Sequence, residues 1–453
     1  EISSCDWSSD VCSSDLPDKT RALLKKAGSN TLLTTERIDG TKSFLIRELL
    51  AKGDETDFVW GNQVALCTSG TTANSKIFVH TGQEMVQQML CLDGLMEKTD
   101  RWGRPEKIEK TLVFLPMHHV LGFVVIFMLP LITGNTMVFP EKIIPEVLLK
   151  TCREHHVTQV IGVPVLWNGV AKMLQRKIQM QGEKSYRHFM KSLEQGIELE
   201  KQGKPIPSAL EGLRKMVRSQ LFGEDLYLAC TGGGYILPDT LKIINGLGYY
   251  LVNGYGITET GILSVTNSEN MEERLRGSVG EAIYPGGIKI NSEEGANSGE
   301  ILVQNPYIHC AVMEDGQIIP KDYHRQEWFA TGDVGHMTEG TLFIDGRIKD
   351  IIFDGSGENI YPDEVESHFE QLPGVEKLSV FGYKKGLYDE TSMVLELSQT
   401  ADEKEIAKSI HKINSKLPMG MQIKNVFISA QALPLSASMK IRRQKFVDRK
   451  SVV

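Results

Sequence analysis

The sequence predicts a large α/β domain of layered sheets and helices with a small β region, followed by a smaller α+β domain. Three observations carry this. The 453 residues, at roughly 150 per domain, make two or three domains. Between Val64 and Val163, apolar strand-like runs alternate with helical stretches, which suits layered sheets and helices. From Gly277 to Phe343 the chain is Gly-punctuated with short alternating apolar runs, the pattern of an antiparallel β region. Composition agrees with a globular chain: 41% of residues are hydrophobic and 24% charged. The 58 acidic against 50 basic residues give a net charge of −8, which argues against a broad nucleic-acid-binding face. The seven cysteines form no CxxC pair, so neither a zinc ribbon nor a disulfide scaffold is expected. Cys67 and Cys230 sit in strand-like apolar runs, which suits reduced thiols and a cytoplasmic setting.

The elements follow in order. Residues 1–16, EISSCDWSSDVCSSDL, show no apolar period and nearly repeat themselves. They lack the basic and apolar regions of a signal peptide and resemble a translated sequencing adapter, as does the C-terminal DRKSVV. Residues 1–16 and 448–453 are therefore expected to be non-native. Val64–Cys67 reads as a strand that runs into the loop TSGTTANSK, with a helix from about Gly82 to Met96. Thr111–Pro116 reads as a buried strand. Val120–Thr133 is strongly apolar but shorter than the roughly 18 residues of a membrane span, and Pro130 interrupts it, so a buried core helix is expected. TMVF and VTQVIGV read as strands separated by a helix. Between Trp167 and Phe222 the pattern is helical and basic, with 11 Lys/Arg against 5 Asp/Glu. A solvated helical face is the plain reading, and a patch that approaches anionic membranes peripherally is the functional one. LYLAC and YYLVN read as strands. After GRIKD at Gly346–Asp350 come a helix start at Pro362, strands LSVFGY and SMVLEL, a helix near Glu403–Leu417 and a strand NVFIS.

Five clusters hold groups suited to chemistry. In TSGTTANSK, backbone N–H groups, the hydroxyls of Thr68, Ser69, Thr71 and Thr72, the small Gly70 and the cation of Lys76 suit a polyphosphate. The loop approaches a Walker A motif, but Ser75 replaces the second Gly and Ile77 the magnesium-holding Ser/Thr, which argues against an ordinary P-loop ATPase or kinase. In NGYGITETG, Gly254 and Gly256 flank Tyr255, a stacking face. Thr258 and Glu259 offer a hydroxyl and a carboxylate for a phosphate and its magnesium. In FATGDVG, Asp333 has acceptor oxygens suited to ribose hydroxyls. The fourth cluster is GRIKDIIFDGSGENIYPDEVE, and the fifth is LPLSASMKIRR with Lys440. Taken singly, each carboxylate is as well explained as a cap or a surface group.

Together and in this order, these segments resemble the acyl-adenylate-forming superfamily of acyl-CoA synthetases, peptide-synthetase adenylation domains and beetle luciferases. The resemblance runs from about Gln63 to Phe446. It implies an AMP-binding adenylation domain over 17–346, N-terminally incomplete, and a mobile C-terminal domain over 347–447. VPVLWNGV at Val163–Val170, LPMHHVLGF and the basic insert before TGGG resemble the long-chain fatty acyl-CoA synthetases. The activity so implied is activation of a fatty acid by ATP through acyl-AMP, then transfer to the thiol of coenzyme A. Thr68, Ser69, Gly70, Thr71, Thr72 and Lys76 would meet the β- and γ-phosphates. Gly233, Gly234, Tyr235, Asn253, Tyr255 and Gly256 would border the adenine. Thr258 would meet the α-phosphate, Glu259 would hold Mg²⁺, and Asp333 and Arg347 the ribose. His119 takes the place of the family's motif histidine, whereas His118 reads as a core residue. Lys440 would bridge carboxylate and α-phosphate in the first half-reaction, and Lys349 stands at the hinge.

The sequence departs from the family at Ala73 and Ser75 in the phosphate loop, at Met439 before Lys440, at Gln304-Asn305, and by one extra residue in GSGEN. Ala73, Ser75 and Met439 keep open a non-catalytic nucleotide-binding pseudoenzyme that makes no AMP, and an acyl-acyl-carrier-protein ligase or a standalone adenylation domain shares every motif.

Overall fold

The computed structural model of the chain describes residues 31–34, 42–45, 63–67, 76–96, 109–117, 119–304, 310–314, 316–321, 328–353, 359–385, 388–399, 401–435, 441 and 443. The described residues fall into two units. One holds those of Val11–Gly287 and Val303–Phe329, the other those of Ile288–Leu302 and Ala330–Val453. Strands Ile288–Asn291 and Gly299–Val303 thus group largely with the C-terminal part of the chain, across the junction expected near Gly346.

In the first unit, Thr31–Thr34 (β1) and Lys42–Leu45 (β2) pair in parallel. Gln63–Cys67 (β3) and Ile77–Thr81 (β4) form an antiparallel pair in which Cys67 faces Ile77, so residues 68–76 connect two adjacent strand ends. The sequence reading ran from the loop straight to the helix and missed β4. Ile77, Phe78, Val79 and His80 are all buried, so the strand shows no alternation to find. The helix Gly82–Met96 starts where expected. Thr81 and Glu84 form a capping box: the Glu84 N–H donates to Thr81 Oγ1 at 3.2 Å, and the Thr81 N–H donates to Glu84 Oε2 at 2.9 Å.

The central sheet has seven strands: Lys110–Leu112 (β5), Thr136–Val138 (β6), Gln159–Gly162 (β7), Leu228–Gly232 (β8), Leu251–Ile257 (β9), Gly261–Val265 (β10) and Glu281–Ala282 (β11). Their spatial order is β11-β10-β9-β8-β7-β5-β6. β6, β5, β7, β8 and β9 are parallel, and β10 and β11 are added antiparallel. β5 therefore lies between β6 and β7, and the chain reverses its direction of travel across the sheet there. The expected helix over Val120–Thr133 is present but begins as a π-helix at Leu121–Met128, becoming α-helical at Leu129–Thr133. Gly122 packs against the Pro116 carbonyl, and a Cβ would lie 2.2 Å from that oxygen. At the β6 edge Leu131, Ile132, Phe139 and Ile144 are exposed. No helix among the described residues is long and apolar enough to cross a membrane.

The basic stretch forms three helices, Pro164–Gln179, Glu183–Lys201 and Ser208–Arg218. Its first helix buries Trp167, whose indole N–H donates to the Cys230 carbonyl at 3.1 Å. Its cations are partly internal. Arg214 is 2% exposed and pairs with Glu200, and Arg218 pairs with Glu211 at 2.7 Å. The plain reading of a solvated helical face is thus modified: Arg214 ties the third helix to the second, and Arg218, besides the Glu211 of its own helix, donates to the Leu247 carbonyl at 2.8 Å.

In the second unit, Ile288–Asn291 (β12), Gly299–Val303 (β13), Phe329–Thr338 (β16) and Thr341–Arg347 (β17) make a four-stranded sheet in the order β12-β13-β16-β17. Cys310–Glu314 (β14) and Gln317–Lys321 (β15) belong instead to the first unit, where β14 pairs with β4. After the 3₁₀ turn Ile348–Asp350, Ile352–Phe353 (β18) pairs with Asn359–Ile360 (β19). Val375–Lys385 (β20), Tyr388–Leu397 (β21) and Asn425–Ile428 (β22) form a mixed sheet. Helices Pro362–Phe369 and Glu403–Asn414 contribute Val365, Phe369, Ile406 and Ile410 to its core. This is the α+β pattern read from the sequence.

Candidate active site

In a parallel sheet, ligands bind beyond the carboxyl ends of the strands, at the point where the strand order reverses. Here that edge carries the expected residues of the first unit. His119 follows β5, Val163 follows β7, Gly233, Gly234 and Tyr235 follow β8, and Thr258 and Glu259 follow β9. The reversal lies between β5 and β7, the strands that lead to His119 and Val163. His119 sits at the start of the π-helix, where its carbonyl accepts from the Phe123 N–H at 2.8 Å, and the residue is half-buried.

The β8–β9 register places Thr231 beside Asn253 and Gly232 beside Gly254. Gly233 has φ +79°, a backbone that only glycine adopts without strain. Asn253 is buried, and its amide is oriented by a hydrogen bond from Nδ2 to the Ser278 carbonyl at 3.2 Å. Its Oδ1 is a buried acceptor with no hydrogen-bond partner among the described residues. Such an oxygen costs roughly 1–3 kcal/mol to bury, which a ligand donor would recover. A nucleobase amino group is such a donor, so the residues fit the expected adenine. Tyr255 and Gly256 follow on β9. The missing side chain of Gly256 serves the neighbouring strand, since a Cβ there would lie 2.5 Å from the Gly261 carbonyl oxygen.

Beyond β9 the chain turns through Thr258–Thr260 into β10. Two buried polar side chains grip this turn. His80 Nε2 donates to the Thr258 carbonyl at 2.9 Å. Gln88 Nε2 donates to the Thr260 carbonyl at 3.0 Å, and the Ile262 N–H lies 3.3 Å from Gln88 Oε1. Sequence reasoning missed both. The signal was a polar residue at a core position: His80 ends an apolar strand, and Gln88 interrupts the apolar stripe of Met85, Met89 and Leu92. Lys76 is exposed one residue before β4. Thr68, Ser69, Gly70, Thr71, Thr72, Ala73, Ser75, His118, Met439 and Lys440 lie outside the described residues.

Behind the strand ends, Leu92, Val125, Ile161, Leu228, Cys230, Val252 and Val265 line a wholly apolar cavity of about 40 Å³. Burial pushes the Cys230 thiol up to about 12, so it is a wall residue rather than a nucleophile.

In the second unit, Asp333 and Arg347 are register partners across β16 and β17. Arg347 Nε lies 3.1 Å from Asp333 Oδ1, with the aspartate nearly buried and the arginine exposed. Gly332 has φ +74°, and Thr331 Oγ1 accepts from the Asp333 N–H at 3.1 Å, which fixes the turn. Lys349 is exposed in the 3₁₀ turn after β17.

Comparison with known proteins agrees with this layout. A 2-succinylbenzoate–CoA ligase of Listeria monocytogenes is 31% identical over 249 residues, covering 54% of this chain and 51% of that protein. The chain spans about half the length of the 2-succinylbenzoate–CoA ligases it matches. The 2-methylpropanoate–CoA ligase CCL4 of Humulus lupulus is 26% identical over 434 residues, 89% of this chain and 67% of that protein. Among solved structures, the o-succinylbenzoate CoA synthetase of Bacillus subtilis in complex with its acyl-adenylate intermediate superposes with a TM-score of 0.70. At 21% identity, covering 96% of this chain and 82% of that one, this is a likeness of fold, with the same large α/β domain and smaller C-terminal domain. Residues 21–313, from before β3 through the whole central sheet to β14, match the AMP-binding enzyme family, and the chain belongs to it.

Proposed function

We propose that the chain joins a carboxylic acid to coenzyme A at the expense of ATP, through an acyl-adenylate. The observation that carries this reading is the carboxyl edge of the central sheet, where the buried acceptor of Asn253 and the gripped Thr258–Glu259 turn follow one strand. The acid's carboxylate oxygen attacks the α-phosphorus of ATP, and the bond to pyrophosphate breaks. The thiol sulfur then attacks the acyl carbon, and AMP leaves. Within this reading Asn253 accepts from the adenine amino group, and Tyr255 offers a ring beside it. Thr258 donates to the α-phosphate, and Lys76 with Thr68–Thr72 meets the outer phosphates. Asp333, held by Arg347, accepts from the ribose hydroxyls. Glu259 would hold Mg²⁺, which would supply charge neutralisation among the phosphates. Lys440 serves the first step, with Lys349 as the hinge that exchanges one step for the other.

The acid is an aryl or a short branched one. The relatives are named for 2-succinylbenzoate and 2-methylpropanoate. A long-chain fatty acid is the second reading. It keeps the VPVLWNGV segment in its favour, but the basic insert supports it less, since Arg214 and Arg218 are spent on internal pairs. Acid-dependent ATP–pyrophosphate exchange, followed by an assay for the thiol acceptor, tests both. Exchange with aryl or short branched acids, and thioester formation with coenzyme A, are expected. Exchange only with palmitate-like acids selects the second reading. A carrier protein accepting the acyl group in place of coenzyme A would replace the acceptor. ATP binding without exchange for any carboxylate would overturn catalysis and leave the pseudoenzyme.

A further inference from the structure

We propose that His80 and Gln88 are positioning residues that hold the Thr258–Glu259 turn to β4 and the helix after it. The proposal rests on the nucleotide reading above, but its geometry is independent of substrate.

His80 is 2% exposed on β4, four residues past Lys76, and its Nε2–H donates to the Thr258 carbonyl at 2.9 Å. Gln88, also 2% exposed, lies two turns into the next helix. Its amide donates to the Thr260 carbonyl and accepts from the Ile262 N–H, as the backbone of a neighbouring strand would. Residues 258, 260 and 262 are therefore held at alternate positions from one side. Between the last two, Gly261 has φ +78°, and a Cβ there would lie 2.0 Å from Gln88 Oε1. The left-handed backbone favours glycine, and a larger residue would push the Gln88 amide off the turn. The Thr81–Glu84 capping box fixes the joint between β4 and the helix, so His80 and Gln88 keep a constant separation.

The hydroxyl of Thr258 and the carboxylate of Glu259 project from this turn. Loss of a grip lets both groups wander, and a displacement near 1 Å lowers rates by roughly 100-fold. The binding of the metal should suffer with the rate, because Glu259 sits on the same turn, whereas the acid should not.

The test uses the full chain with His80→Leu, Gln88→Met and the milder His80→Gln and Gln88→Glu. His80→Gln keeps a donor for the Thr258 carbonyl, and Gln88→Glu keeps only the acceptor half. Mn²⁺ binding in the presence of a non-cleavable ATP analogue is read by electron paramagnetic resonance, alongside exchange kinetics and thermal unfolding. His80→Leu and Gln88→Met are expected to weaken Mn²⁺ binding at least about 10-fold and to slow exchange about 10- to 100-fold with an unchanged KM for the acid. His80→Gln should stay within about 3-fold of the wild type, and Gln88→Glu should fall between. Should His80→Leu fail to fold, the other three variants still give the ranking. Wild-type Mn²⁺ affinity and exchange in both Gln88 variants and in His80→Leu would overturn the proposal. A wild type that binds Mn²⁺ with the analogue but shows no exchange would overturn the ligase reading, while weakened binding in the variants would still uphold the positioning roles.

Discussion

Two regions bury polar groups in opposite ways. At the carboxyl edge of the central sheet, buried groups are neutral, and some of their acceptors, Asn253 Oδ1 among them, find no partner among the described residues. In the C-terminal unit, the Arg443 side chain is 15% exposed and faces Asp350, Asp363 and Glu366. Its Nε and Nη2 donate to the two Glu366 oxygens at 3.1 and 2.7 Å, and Glu366 also accepts from the Val380 N–H at 2.7 Å and from Ser379 at 3.1 Å. Among the described residues, no buried side-chain atom of that cluster lacks a partner. Burial of polarity marks a site only where some of its hydrogen-bonding capacity is left open, and a saturated network marks a strut. The strut here ties the 3₁₀ turn of Lys349 to the Pro362–Phe369 helix and to the chain three residues past Lys440.

The largest test of this contrast is Arg443→Met. Removing the cation leaves three carboxylates facing one another in a buried place, and the loss should be about 3–5 kcal/mol of unfolding free energy. Denaturant unfolding monitors it. A loss below about 1 kcal/mol would mean that the cluster is solvated and is not a strut. On the other side of the contrast, Gly261→Ala combines a left-handed backbone with a contact against Gln88. The strain is about 1–3 kcal/mol, and exchange should fall roughly 100-fold because the Thr258–Glu259 turn must shift. A variant with wild-type exchange would show that the turn's position is not what the chemistry needs.

Much of this was legible locally. The helix Gly82–Met96 was read to the residue, and its start is written in Thr81-x-x-Glu84. The parallel strands of the central sheet and the C-terminal α+β pattern followed from apolar runs and turn residues, whereas β10 was not read. The Asp333–Arg347 pair followed from the family resemblance, and their places across β16–β17 bring them together. What was not legible depends on partners far along the chain. β4 was missed because its second neighbour, β14, lies more than two hundred residues away and covers its other edge. His80 and Gln88 could be noticed as polar residues in apolar settings, but their partners are 178 and 172 residues distant. The π-helical start after His119 depends on Pro116 packing against Gly122, which no periodicity encodes.

The smallest test uses pH on the saturated cluster. Burial pushes the Glu366 carboxyl up to about 7 from 4.5; Arg443 pulls it down and Asp363 adds to the rise. The charged groups facing it are Asp363 on its own helix, Asp350 on the 3₁₀ turn and Arg443. One guanidinium among three carboxylates leaves an excess of negative charge when all are ionised, so a proton on Glu366 relieves the cluster. Because the folded value lies above the unfolded one, the folded chain holds more protons between about pH 4.5 and 7. The stability from this group is complete below the lower value and is lost as pH rises through the upper one. One proton sets a ceiling of about 1.4 kcal/mol per pH unit. Unfolding free energy followed from pH 5 to 8 should therefore decline in the wild type. The decline should flatten in Glu366→Gln, which cannot titrate, even though that variant is less stable throughout for want of a full partner to Arg443. An equal slope in both proteins would locate the pH dependence elsewhere and leave Glu366 a permanently ionised member of the strut.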